Sequence, residues 1–167
     1  MNEELIADLF DKIYESDALI IKPAEDMELE RCARDFNDIG ITAVPDDYFE
    51  FLKMANGVAW NGFEFFGTYQ ITVKKTGYVL EDIVSVNQKM RNRKPGLEKM
   101  IVLGRFDDDI YVYNSEKFIY QALDSLTLIE IESYESFDEL FSLNVGAYID
   151  FDDFDDSDDV FDEIDED

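Results

Sequence analysis

The stretch MIVLGRFDDDIYVYNSEKFIYQALDSLTLIEI, Met100 to Ile131, decides the fold. Four apolar and aromatic runs, Met100 to Leu103, Ile110 to Tyr113, Phe118 to Leu123 and Leu126 to Ile131, alternate with turn-forming clusters such as Asp107-Asp108-Asp109. Short runs rich in Val, Ile, Tyr and Phe, separated by polar turn formers, predict an antiparallel meander. On its C-terminal side, Ser136 with Glu139 three residues on forms a capping box for a closing helix whose Phe137, Leu140 and Phe141 face inward.

Toward the N-terminus the pattern becomes helical. Tyr78 to Arg91 shows helical spacing through Val79, Ile83, Val86 and Met90, and the basic loop Arg91 to Pro95 follows it. Phe63 to Val73 is aromatic and β-branched, as in a strand or bent strand pair. Pro45 suits the first position of a helix, Asp46 and Asp47 suit the positive end of its dipole, and Tyr48, Phe51, Leu52 and Ala55 form its buried face up to the stop at Asn56-Gly57. Two helices open the chain. Leu5, Ile6, Leu9, Phe10 and Ile13 mark the first, and a second after Pro23 buries Met27, Ala33 and Phe36 before Gly40. The sum is a single α+β domain, one principal antiparallel sheet with helices on a face or end, over residues 1–149, followed by an acidic tail at 150–167.

The 167 residues are 46% hydrophobic and 14% aromatic, enough for a sizeable core, and carry a formal charge of -27. The tail holds twelve of the acids and no base, so the body keeps 29 acids against 14 bases. Self-repulsion favours a solvated tail, although Phe151, Phe154, Val160, Phe161 and Ile164 interrupt it at a spacing suited to docking. Asp155, Ser157, Asp159 and Glu166 mimic part of a calcium loop, but Val160 stands where that loop needs glycine.

Histidine is absent, which removes the commonest proton-transfer group near neutral pH, the Ser-His and Cys-His nucleophile pairs and the commonest transition-metal ligand. The single cysteine, Cys32, excludes an intramolecular disulfide and paired-thiolate zinc sites, and reads as a core residue. No metal or cofactor is expected, nor an enzyme. Such a charge repels phosphate backbones and anionic membranes and attracts cationic proteins, so neither nucleic acid nor membrane is expected as partner. The acidic N-terminus lacks the features of a signal peptide, and no apolar run approaches membrane-spanning length, which points to the cytoplasm.

Three segments together resemble the SUKH superfamily, which contains bacterial immunity proteins and the fungal cell-wall-assembly regulator domain. Val44-Pro45-Asp46-Asp47-Tyr48-Phe49-Glu50-Phe51-Leu52, ending in Asn56-Gly57, is similar to that family's proline-initiated helix. Trp60-Asn61-Gly62 leading to Phe65-Phe66-Gly67 resembles its first strand. Val102-Leu103-Gly104, the acidic turn, Ile110-Tyr111-Val112-Tyr113, the strand through Tyr120 and Asp124, and the helix Glu135-Ser136-Phe137-Asp138-Glu139-Leu140-Phe141 resemble the remainder. The set spans Met27 to Asn144. The resemblance implies an α+β protein-binding fold without a catalytic motif, commonly an immunity protein that neutralises a cognate toxin of a polymorphic or contact-dependent system.

Candidate partner-binding residues follow from charge and aromatic character. Asp107, Asp108 and Asp109 are either solvated turn carboxylates, a loose divalent-cation cluster or an acidic face flanked by Tyr111 and Tyr113, whose rings offer contact area at low entropic cost. Trp60 is either an anchor under a strand edge or a contact residue. In the tail, Asp152, Asp153 and Phe154 combine charge with an aromatic ring. Lys89, Arg91, Arg93 and Lys94 form a cationic cluster of the wrong overall setting for nucleic acid and are expected to end a helix or pair internally. The expected partner is a cognate toxin, with nucleases favoured because an acidic binder can fill a cationic groove, or another basic cellular protein bound by a regulatory domain of the same fold. Oligomeric state is not encoded in any feature of the sequence.

Overall fold

A computed structural model describes residues 1–155, with side chains through Ile149. Five helices and nine strands follow in the order α1 (Glu3–Tyr14), β1 (Leu19–Ile20), α2 (Asp26–Asp38), α3 (Asp46–Met54), β2 (Val58–Trp60), β3 (Phe63–Phe65), β4 (Ile71–Val73), β5 (Tyr78–Leu80), α4 (Ile83–Arg93), β6 (Met100–Phe106), β7 (Asp109–Asn114), β8 (Ile119–Asp124), β9 (Glu130–Tyr134) and α5 (Phe137–Asp155). Seven strands form one antiparallel sheet in the order β1-β2-β3-β6-β7-β8-β9, interrupted in sequence by α2 and α3 between β1 and β2 and by the β4–β5 hairpin and α4 between β3 and β6. This is the expected α+β domain. Among the described residues no helix is long and apolar enough to cross a membrane.

The meander is set by its turns. Phe106 pairs with Asp109, leaving Asp107 and Asp108 as a two-residue connection, and Asp107 takes φ 52°, a region that aspartate enters more readily than most residues. Register shifts between Val102 and Gly104, where β3 crosses closely: a Cβ on Gly104 would lie 2.4 Å from the Glu64 carbonyl oxygen, so only glycine fits. Beyond that crossing β3 leaves β6, and Asn87 of α4 takes its place. Its amide accepts from Val102 N–H and donates to Val102 C=O, both at 2.8 Å, satisfying a buried backbone pair as a neighbouring strand would.

The core is aromatic. Phe51 of α3 meets Phe10 of α1 at 5.7 Å, Phe137 and Phe141 of α5 at 4.8 and 5.4 Å, and Phe65 of β3 at 6.1 Å between ring centroids. One side chain thus clamps three helices to the sheet. The buried Tyr48 hydroxyl lies 2.7 Å from the Phe66 carbonyl and 2.9 Å from that of Leu103, sharing its proton where the strands diverge.

Several expectations are corrected. Met27 is 76% exposed, and α2 instead buries Leu29, Cys32 and Phe36. Met27 precedes Phe36 by nine positions, half a turn out of phase at about 100° per residue, whereas Leu29 and Cys32 lie in phase with it. Tyr78 and Val79 belong to β5, because Gly77 at φ 72° closes a hairpin and Asp82, whose carboxylate accepts from Ser85 N–H at 2.8 Å, caps α4 after it. Pro45 is the residue before α3 rather than its first. The run from Leu126 does not begin a strand: Asp124 Oδ1 accepts from Leu126 N–H at 3.1 Å and Thr127 N–H at 2.7 Å, folding an Asx-type turn, and β9 starts only at Glu130. β1 pairs with β2 through Leu19–Ala59 and Ile20–Val58, a pairing that no pattern in the sequence predicts. α5 continues through Asp155, past the expected tail boundary at Asp150.

Candidate functional site

The residues singled out in the sequence fall into three places. Trp60 is 6% exposed and stacks on Phe63, with centroids 6.3 Å apart. Tyr111 is 2% exposed and stacks on Phe65 at 5.6 Å. Both are core residues, and the contact role considered for them is corrected: alternation along β2 and β7 turns them under the helices, where their rings complete the aromatic layer. Burial accordingly pushes the Tyr111 hydroxyl pKa upward.

Asp107 and Asp108 are exposed at the β6–β7 turn, with Ser125 N–H donating to the Asp108 carbonyl at 2.8 Å. Asp109 is half-buried, and burial, then the carboxylates of Asp124, Asp107 and Asp108, raise its pKa. Tyr113 lies four residues further along β7, about 13 Å away, so it does not flank that turn. It stands instead beside Tyr120, at 5.1 Å, where burial and then Asp46 and Asp47 raise its pKa. Tyr148 of α5 packs edge-on against Phe63 and Phe106 at 5.2 and 5.1 Å, which directs the end of α5 toward the Asp107 turn. Asp152, Asp153 and Phe154 fall on that last part of α5, but their side chains, and all of 156–167, lie outside the described residues.

Around α3 the structure gathers acids that sequence reading had assigned only to helix ends or not at all. A cleft of about 490 Å³ between α2 and α3 has Leu29 and Phe49 in its apolar wall and Asp26, Glu30, Asp46 and Glu50 around it. Lys53 is the cation there; it donates to Glu50 at 2.7 Å, and that bond, with further help from Asp26, raises its pKa. Asp47 continues the belt and meets the Met1 ammonium at 3.4 Å. Beyond it, the Tyr120 pKa is raised by burial and then by Asp47, Tyr113, Asp138 and Asp46, and one Asp138 oxygen is buried without a hydrogen-bond partner among the described residues. Asp26 and Asp46 gain from the helix dipole in their first turns. Glu30 and Glu50, one turn on, do not, and each is an i,i+4 like-charge pair with the aspartate before it, costing a few tenths of a kcal/mol. That repeated unfavourable spacing was the signal available in the sequence.

Two further cations are tied down elsewhere. Arg105 bridges Glu64 and, at 3.4 Å, Glu81, while Lys89 reaches Glu81 at 2.6 Å and holds its carboxyl below the usual range. Tyr78 hydroxyl donates to the second Glu64 oxygen, and the Arg105 guanidinium lies 5.4 Å from the Phe66 ring centroid. Both oxygens of this buried carboxylate are therefore engaged, which suits a structural tie rather than a proton acceptor. Cys32 is buried, and its thiol is pushed up to about 12 by burial, then by Asp35 and Asp82, so it is protonated and unreactive at neutral pH. Among the described residues no group of three His, Cys, Asp or Glu side chains is placed to hold a metal ion.

No protein-family model matches the chain, and no curated protein matches its sequence. The SUKH resemblance therefore rests on the motifs quoted above.

Proposed function

We propose that the protein is a non-catalytic, cytoplasmic binding module that presents the acidic belt around α3 to a basic partner protein. The partner we favour is a bacterial toxin, for which this chain would act as the cognate immunity protein. The carrying observation is the α2–α3 cleft: Asp26, Glu30, Asp46 and Glu50 line it beside apolar surface with Lys53 as the cation among them, a surplus of carboxylates whose repulsion a cationic surface entering the cleft would relieve. The charge of -27 would speed encounter with such a partner at low salt, while the half-buried Phe49 and Tyr113 would add short-range contact. The SUKH-like motifs supply the toxin as the class of partner.

The test has two steps. Proteins captured from the native host on the immobilised chain are identified, and each is expressed alone and together with this chain in a laboratory bacterium. The proposal expects a basic protein that arrests growth alone and is harmless in the pair. An acidic partner, or one whose expression leaves growth unaffected in both cases, would contradict it.

A further inference from the structure

The geometry points to β9 as a docking strand for an extended, basic segment of the partner, which would add an eighth strand to the sheet; this rests on the acidic-binder reading above. β9 is the last strand in the sheet order, and among the described residues nothing pairs with its outer edge. Four of its five residues are exposed, so alternate backbone N–H and C=O groups face outward from β8, ready to bond an extended chain.

Edge strands are ordinarily short, bulged, charged on the outside or covered. This one is five residues long, bulged at Ile131 where its register against β8 shifts, and flanked by the charges of Glu130 and Glu132, yet Ile131 itself is 56% exposed, with Ile129 and Leu126 exposed in the connection before it. Ala122 pairs with Glu132 and Leu123 with Glu130, so Ile131 is the extra residue of a bulge; Glu132 shares the side of Tyr134, and Glu130 the opposite side, that of Gln121. Tyr134 is fixed there, its hydroxyl accepting from Asn144 Nδ2 at 2.9 Å, while Glu130 accepts from the buried Gln121 amide. The edge is therefore held in place from behind and offers one exposed isoleucine between two carboxylates.

Charge selects the occupant. A second copy of β9 would bring Glu130 and Glu132 against their own kind, and like charges across a strand pair are destabilising. The chain's own 150–167 segment, with twelve acids, meets the same repulsion. A segment in which Lys or Arg alternates with Val or Ile brings cations to Glu130 and Glu132 and apolar contact to Ile131.

The experiment titrates the full-length, isotopically labelled protein with a synthetic twelve-residue peptide of alternating lysine and valine, following amide shifts and hydrogen exchange. The control peptide has proline at alternate positions, which removes the donors a new strand needs. The expected result is shifts and slowed exchange centred on Glu130–Tyr134, absent with the proline peptide and at least tenfold weaker in Ile131→Lys, whose exposed position leaves the fold intact. Shifts confined to the α2–α3 cleft and unchanged in Ile131→Lys would overturn the β9 inference while leaving the acidic binder standing. Absence of binding anywhere on the protein would sink both. Outward amides of 130–134 that are already slow to exchange in the free protein would overturn the inference too, because the chain itself would then occupy the edge.

Discussion

At one edge of the sheet β1 offers two residues, Leu19 and Ile20, both half-buried and followed at once by Ile21, whose N–H bonds the Gly57 carbonyl at 3.0 Å. At the other edge β9 offers five, four of them exposed. The contrast extends inward. Next to β1 stand Trp60, Phe63 and Phe106 in a stack, Phe63 and Phe106 only 4.1 Å apart, and Asn56, whose amide is bonded on both sides to Thr68. Toward β9 stand Asp107, Asp108, Asp109 and Asp124, carboxylates near enough to raise the pKa of one of their number. One half of the sheet is composed for stability, and the other keeps groups that a sequence selected only for stability would replace. Substitutions should therefore behave oppositely in the two halves.

The largest effect is expected in the closed half. Trp60→Ala removes a buried ring from the stack and should cost about 3–5 kcal/mol in urea unfolding. A cost below about 1 kcal/mol would mean that Trp60 serves contact after all. Asn56→Ala comes next, since it leaves the Thr68 N–H, which bonds the Asn56 carboxamide at 2.7 Å, unpaired in a buried site, and about 1–3 kcal/mol should be lost in the same assay. The backbone is held there from a second direction: a Cβ on Gly67 would lie 2.1 Å from the Asn56 carbonyl oxygen.

In the open half the sign should reverse. Because the folded-state pKa of Asp109 is raised above its ordinary 3.8, the folded protein holds that proton more tightly than the unfolded chain. Its contribution to stability is therefore most favourable below about 3.8 and is lost as pH rises through the folded value. Asp109→Asn should accordingly be more stable than the native protein at pH 7, by roughly 0.2–1 kcal/mol, with the advantage vanishing in acid. Thermal unfolding of the two proteins from pH 3 to pH 7 (about the span over which the carboxyl titrates) checks both sign and window. The smallest effect belongs to Ile131→Lys, which should change stability by no more than about 0.5 kcal/mol; a larger loss would place Ile131 inside the fold.

The closed half was the more legible in sequence. Phe51, Leu52 and Ala55 declared their face through helical spacing, and Asn56-Gly57 declared its stop, because local geometry and burial agree there. The meander was legible for the same reason, up to Asp124, where a side-chain cap outweighed the apolar run Leu126 to Ile129 and turned Leu126 and Ile129 outward. Trp60 and Tyr111 were ambiguous because an aromatic residue suits a core and an interface equally, and only the packing of α5 over the sheet decides. The acidic belt was least legible. Asp26 and Glu30 are separated from Asp46 and Glu50 by the turn after α2, and nothing in either helix alone says that the two pairs share a cleft.

If these acids serve a partner and not the fold, the double variant Glu30→Gln with Glu50→Gln should lose capture without losing stability. Its melting temperature and its capture of the host partner are measured on the same preparation. Relief of two like-charge pairs, set against loss of the exposed Lys53 bond, predicts a melting temperature unchanged or raised by up to about 2 °C, together with at least tenfold weaker capture. A melting temperature lowered by more than about 4 °C, or capture as strong as that of the native chain, would contradict the account.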